Sequence, residues 1–261
     1  MKQLGAILLL AVVLLATGCV GDGLTPSGRT CLDNSLRSYQ AGSYDDAIAQ
    51  ADDVITGNSK GFGLQQAYYL RGISYLKKDK LKNARDDLSS VVSETASDSL
   101  MLKSLDALGE VEFRLGNDSR AIELFEQVIE LCPELAIKPL DHARYRLGVC
   151  YQRQGDWEKA DTQLYRLRYA FPDSKYAKLA DEIAGGNAWT IQVGAFADRN
   201  NAKALVKKLL QHHEAYIKSN TRNGKLLHVV QIDWINDYQS ALVKLAQVRK
   251  TRRDALIKVT R

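Results

Sequence analysis

ARYRLGVCYQRQGDWEKADTQLYRLRYAFPDS, residues 143–174, is the stretch from which the fold of most of this chain can be read. Leu147, Gly148 and Tyr151 fall at helical spacing, Gly155 interrupts them, and Trp157, Ala160 and Pro172 follow. A glycine after a helix tolerates the positive φ of a turn, and proline cannot continue a helix. The stretch therefore reads as two helices joined by a tight turn and ended by Pro172. The same pattern returns upstream. Aligned on the alanine after each turn, Ala47, Ala84, Ala121 and Ala160 lie 37, 37 and 39 residues apart. Four residues later stand Ala51, Leu88, Phe125 and Leu164, and seven later Val54, Val91, Val128 and Leu167. Twelve residues before each alanine stand Ser35, Gly72, Gly109 and Gly148, and five before, at the turn, Gly42, Asp79, Gly116 and Gly155. Small residues such as Gly148 and Ala160 let two helices cross closely, while Phe125 and its equivalents fill the gap beneath. Pro133 closes the third unit as Pro172 closes the fourth. The first unit departs most, with Ser35 and Ala51 at weak positions. Tyr176, Leu179 and Ile183 keep helical spacing through Ser174 to Ala184, a capping helix of the kind a solenoid needs over its exposed apolar end.

These offsets resemble the tetratricopeptide repeat (TPR), a helix-turn-helix unit with small, aromatic and proline positions at such spacings. A generic helical bundle is the alternative. The resemblance implies an all-α solenoid over residues 31–184, about four units plus the cap. It also implies a concave face that binds peptides or a partner protein, here an unidentified periplasmic one. In the family's register that face presents Tyr69, Ile73, Lys77, Asp106, Glu110, Arg114, Tyr145, Val149 and Arg153, of which Tyr69, Arg114, Tyr145 and Arg153 are the candidate partner-binding residues.

Ala184-Gly185-Gly186-Asn187 ends the helical pattern, and residues 185–188 read as a linker. From Trp189 to Phe196 the chain alternates and is β-rich. Asp198 or Asn200 can cap a helix to about His212. A strand from Ala215 to Ser219, a turn at Thr221-Arg-Asn-Gly224 and a strand from Leu226 to Asp233 follow, Asn-Gly being a strong hairpin signal. Asp237 caps a second helix to about Arg252, and Ala255 to Thr260 closes the sequence as a strand. The order βαββαβ predicts a small ferredoxin-like sheet over residues 189–261 with both helices on one face. The fold class is thus two-domain, all-α and then α/β. The RNA-recognition domain shares this order, but the aromatics it needs on its central strands are absent. No nucleic acid is expected as a partner.

Thr190-Ile191-Gln192-Val193-Gly194-Ala195-Phe196, with Ala202 and Leu205 after it, resembles the opening of the SPOR (sporulation-related) domain of bacterial envelope proteins. That resemblance implies binding to peptidoglycan, especially glycan strands stripped of stem peptides. The third strand departs from the family pattern: His228 to Ile235 lacks the arginine, glycine and proline common there, which leaves the glycan specificity open. Strand parity turns Ile191, Val193, Val230 and Ile232 toward the helices. It turns Thr190, Gln192, Gly194, Phe196, Val229, Gln231 and Asp233 outward, with inward packing as the alternative for Phe196. The candidate glycan-binding residues are Thr190, Gln192, Gly194, Phe196 and Gln231: an amide both donates and accepts, and a glycine lets a chain approach the backbone. From Asn187 to Arg261 there are 14 Lys/Arg against 5 Asp/Glu, a charge of +9; with +5 for the whole chain, the remainder is near −4. A basic domain attracts the repeating lactyl carboxylate of stripped glycan, with plain solubility or attraction to anionic lipid as the alternatives for the charge.

The N-terminus sets the compartment expected. Lys2 and an apolar run from Leu4 to Ala16 fit a signal peptide and are too short to span a bilayer. Leu15-Ala16-Thr17-Gly18-Cys19 resembles the bacterial lipobox, which implies a signal peptide over residues 1–18 and a lipid on Cys19. A flexible tether would then cover residues 19–30. Val20, where aspartate would favour the inner membrane, leans the reading toward the outer membrane, with the lipid as the membrane contact and the domains facing the periplasm. Cys31, Cys132 and Cys150 remain; Cys132 and Cys150 either bridge or serve as small apolar residues. No nucleophile elbow, zinc-type histidine pair or phosphate-cradling glycine loop appears, so neither catalysis, cofactor nor metal is expected. Two readings follow: a peptidoglycan-binding lipoprotein whose repeats recruit a partner in wall remodelling or division, or a repeat scaffold of outer-membrane assembly or Tol-type systems whose last domain is degenerate or binds protein.

Overall fold

The computed structural model describes residues 23–260 except 58–60, 133–138 and 223. The signal peptide, Cys19 and Pro133 lie outside the described residues. Four antiparallel helix pairs follow one another: α1 (Pro26–Gln40) with α2 (Tyr44–Thr56), α3 (Gly61–Lys77) with α4 (Leu81–Glu94), α5 (Asp98–Arg114) with α6 (Asp118–Leu131), and α7 (Leu140–Gln154) with α8 (Trp157–Ala170). The short α9 (Lys175–Ile183) caps the last pair, burying Ala177 and Ala180.

The repeat positions explain the pairing. Gly42, Asp79, Gly116 and Gly155 all sit in the turns with φ of 81°, 59°, 83° and 80°. Across each of the last three pairs the helices nearly touch. A Cβ added to Gly72, Gly109 or Gly148 would lie 2.9, 2.6 or 2.7 Å from Leu88, Phe125 or Leu164. In the first pair the small residue has moved to the other helix. Ala51 leaves room for Ser35, whose buried hydroxyl donates to the Ala47 carbonyl at 2.8 Å. The weak first unit therefore solves the same packing problem with the sizes exchanged.

One expected boundary moves. Helix α1 begins inside the stretch read as tether, because Thr25 caps it by accepting from the Gly28 N–H at 3.0 Å and Pro26 occupies its first turn. Threonine followed by proline is a helix start as well as a loop composition. Leu24 is already packed against Gly63.

The second module comprises β1 (Ala188–Phe196), α10 (Arg199–Leu209), β2 (Ala215–Arg222), β3 (Lys225–Ile235), α11 (Tyr238–Arg249) and β4 (Leu256–Thr260). The sheet is antiparallel throughout in the order β2-β3-β1-β4. Ile191, Val193, Val230 and Ile232 meet Ala202, Leu205, Leu245 and Val248 in a core on the helix side. Strand β1 starts at Ala188, inside the expected linker, and the β2–β3 hairpin stays paired up to Arg222 and Lys225, tighter than the four-residue turn read from composition. The junction between modules is pinned. The Gly185 N–H donates to Asp161 at 2.8 Å, and a Cβ on Gly186 would strike Val259 at 2.0 Å. Trp189 contacts Trp157 of α8 and Tyr238 of α11, with ring centroids 5.6 and 4.9 Å apart. Cys31, Cys132 and Cys150 are free thiols, so the bridge between Cys132 and Cys150 does not form; burial pushes the Cys150 thiol up to about 12.

Candidate functional site

Two concave surfaces hold the candidate residues. The first is the sheet face that α10 and α11 leave bare, and two bulges decide which side chains reach it. Gln192 pairs with Gln231, but Gly194 pairs with Val230, so β1 carries one extra residue at Val193. Parity reverses beyond that point. Gly194 and Phe196 therefore face the helices, contrary to simple alternation. A Cβ on Gly194 would lie 2.8 Å from the Phe196 ring and 3.3 Å from Leu205, and Phe196 packs on the helix-side core. Ala195 takes the open face instead. The second bulge is in β3, where Ile191 pairs with Ile232 but Trp189 with Ile235. Asp233 absorbs it in the left-handed region at φ 56°. Its carboxylate turns away from the open face to Lys244 at 2.9 Å, His213 at 3.3 Å and the Glu214 N–H at 3.2 Å.

That kink brings Trp234 out. It is 54% exposed, with its ring centroid 5.9 Å from that of Tyr216. Tyr216 stands opposite Gln231 and donates its hydroxyl to Thr190 Oγ1 at 3.1 Å; Thr190 Oγ1 in turn donates to the Ile232 carbonyl at 3.0 Å. Thr190 is fully buried, so it positions Tyr216 and is not itself presented to a ligand. Gln192 and Gln231 remain on the open face as expected. Gln231 is only 6% exposed and its Oε1 has no hydrogen-bond partner among the described residues. Above them lies a cleft of ≈ 630 Å³ lined by Gln192, Gln231, Lys218 and Lys258, with Asp181 and Glu182 of α9 along one wall. The aromatic pair Tyr216 and Trp234 was not legible in the sequence, because a strict period of two points Trp234 inward.

The second surface is a groove of ≈ 990 Å³ along the inner side of α3, α5, α7 and the start of α9. Tyr69 and Arg114 line it as expected; Arg114 donates to the Leu76 carbonyl and to Asp79, each at 2.9 Å. Tyr145 and Arg153 do not line it. Tyr145 stacks on Tyr176 with centroids 5.6 Å apart and packs against Leu164 and Leu167. Arg153 is held by Asp118 at 3.0 Å, and its guanidinium lies 3.9 Å from the Phe113 ring centroid and 4.7 Å from that of Tyr238. Its neighbour is the chain's own second module. The groove floor holds a cluster that sequence reading missed. His142 contacts Asp106 at 2.8 Å and Glu110 at 3.3 Å, and Arg146 contacts Glu110 at 2.7 Å. Burial alone would lower the His142 pKa, but its hydrogen bonds to Asp106 and Glu110 win and lift it to about 9. Burial pushes Asp106 up, with His142 opposing; burial also acts upward on Glu110, but His142 and Arg146 outweigh it and hold Glu110 down. The His142–Asp106 and Arg146–Glu110 contacts each span 36 residues, close to one repeat, and that spacing was the available signal. Among the described residues no group of His, Cys, Asp and Glu is arranged to hold a metal ion.

Fold and clefts together define a two-module protein: a solenoid of helix pairs with a concave groove, joined to a small domain with an open antiparallel sheet. The small domain is a SPOR domain, matched by that family's model over residues 185–258, and the solenoid carries tetratricopeptide repeats, matched over residues 103–134 and 142–174. The structure extends the helix pairs beyond the two matched units to four. Solved structures of similar fold include the MamA RS-1 ArsTM double mutant, 17% identical with a TM-score of 0.50, covering 60% of this chain and 83% of that one. A crystal structure of MamA protein is 20% identical with a TM-score of 0.48, covering 60% and 81%. That of YrrB, described as a TPR protein with an unusual peptide-binding site, is 20% identical with a TM-score of 0.45, covering 54% and 68%. No curated protein matches the chain.

Proposed function

We propose that this chain is a lipid-anchored protein of the bacterial cell envelope that grips peptidoglycan glycan strands with its SPOR domain and recruits a protein partner through its repeats, in wall remodelling or division. It works by binding, with no chemistry of its own. Cys19 carries the lipid, in the outer membrane, and both modules face the periplasm. The observation that carries the glycan reading is the open sheet face, where Gln192, Gln231 and Tyr216 stand opposite one another across three strands and Trp234 packs on Tyr216. A sugar presents flat C–H faces and a fringe of hydroxyl and amide groups. Rings take the first and glutamine amides the second. Lys218 and Lys258 at the cleft edge supply positive charge toward the lactyl carboxylates of stripped strands.

The test is a pull-down with purified sacculi before and after amidase removes the stem peptides. Binding should rise after stripping, and Trp234→Ala should weaken it about tenfold, near 1.4 kcal/mol, without changing the melting temperature. Binding that ignores both the stripping and the substitution would sink the reading.

A second reading is favoured by Asp181 and Glu182, which wall the cleft with negative charge on one side. There the sheet face binds protein and the chain is an envelope scaffold, of the outer-membrane assembly or Tol-associated kind. Deleting residues 187–261 separates the two: unchanged localisation and phenotype favour the scaffold.

A further inference from the structure

We infer that the segment received by the concave groove is an acidic peptide that also carries aromatic or apolar residues. This rests on the repeats being a peptide-binding surface, and adds the chemistry of what they bind. The repeats with their N-terminal extension are near −4 in net charge, yet the groove inside them presents the opposite sign. Its buried acids are turned inward, Asp106 and Glu110 paired with cations. Asp106 and Glu110 face His142 and Arg146, so that cluster sums to about zero while His142 is protonated. Buried Asp141 accepts from the Ser174 hydroxyl at 2.6 Å and from the His142 N–H at 2.9 Å. The exposed charges of the lining are Lys77, Lys103, Arg114 and Lys175, against Asp173 alone. Arg114 is paired with Asp79, but Lys77, Lys103 and Lys175 have no ion-pair partner among the described residues. Tyr39, Tyr69, Phe171 and Tyr176 provide apolar footing between these cations.

The field discriminates among occupants. A concave wall with an excess of one sign concentrates the opposite charge. The SPOR domain of a second copy, at +9, is therefore repelled from this groove, and an acidic segment is drawn in. Exposed ion pairs are individually weak, so three or four cations together make roughly a tenfold preference over a neutral peptide.

The experiment uses the full chain in detergent with a short fluorescein-labelled peptide that repeats Glu, Tyr and Leu, read by anisotropy. Counterparts with Gln or Lys in place of Glu are the controls. The acidic peptide should bind about tenfold tighter than the Gln peptide, and the Lys peptide weakest. The preference should vanish in 1 M salt, where screening acts within ~3 Å. It should also vanish in the Lys77→Glu, Lys103→Glu double variant, whose exposed positions leave the fold intact. Equal binding of the Glu and Gln peptides overturns the acidic specificity and leaves the peptide groove standing. Binding of none of the three overturns both. Displacement of the acidic peptide by solubilised glycan strands would reassign the groove to sugar and overturn the inference.

Discussion

Gly109 shows how narrow the margins between helices are. Alanine there would gain about 1 kcal/mol of helix propensity. Its methyl, however, would sit 2.6 Å from the buried Phe125 ring, which has no exposed end to yield. Overpacking of that kind costs roughly 1–3 kcal/mol, so the loss wins. Gly109→Ala should lower the melting temperature by several degrees in a thermal circular dichroism scan, and Gly109→Val by more. His142 makes a second residue-level prediction. A histidine whose pKa rises on folding adds stability below its unfolded value of 6.5 and loses it as the pH climbs through about 9. Burial opposes that shift, and the hydrogen bonds of the imidazole to Asp106 and Glu110 outweigh it; Arg146, paired with Glu110, and Asp141, bonded to the His142 backbone N–H, are the other charged groups nearby. Denaturant unfolding should thus show a decline of on the order of 3 kcal/mol between those two pH values. In His142→Gln the decline should flatten, with lower stability at neutral pH.

Among the elements, the contact of α7 with α11 decides whether the two modules move together. The Arg153 guanidinium between Phe113 and Tyr238 is worth roughly 1–2 kcal/mol, and Trp157 with Trp189 extends the seam. In Arg153→Ala, which also leaves Asp118 without its partner, limited proteolysis should cut the 184–187 junction several-fold faster while helix content holds. The repeats were legible at this scale because their signal is redundant: Gly72, Gly109 and Gly148 each report the same close crossing. Boundaries were less so. Thr25 and Pro26 have loop composition and helix-cap geometry at once, and only the packing of Leu24 against Gly63 shows which applies.

For the whole molecule, charge separation is the governing feature. A basic SPOR domain on a net-acidic repeat region would make the proposed glycan binding strongly salt-dependent. Sacculus binding by the full chain should fall at least several-fold between 0.1 and 1 M salt, as the screening length shrinks from ~10 to ~3 Å. Binding that is insensitive to salt would place its energy in the Tyr216 and Trp234 rings and the glutamine amides alone.

Periodicity in the sequence was enough to determine the helix pairs, the βαββαβ order, the inward set Ile191, Val193, Val230 and Ile232, and the outward Gln192 and Gln231. Those features follow from local spacing and from which side chains avoid water. The tertiary structure alone decided that Phe196 turns in and Trp234 turns out, that Thr190 serves Tyr216, that Arg153 grips the neighbouring module, and that His142 sits between two carboxylates. A bulge shifts parity by one residue at a place that hydrogen-bond registry between strands selects, and helices from different repeats meet only after the solenoid has closed.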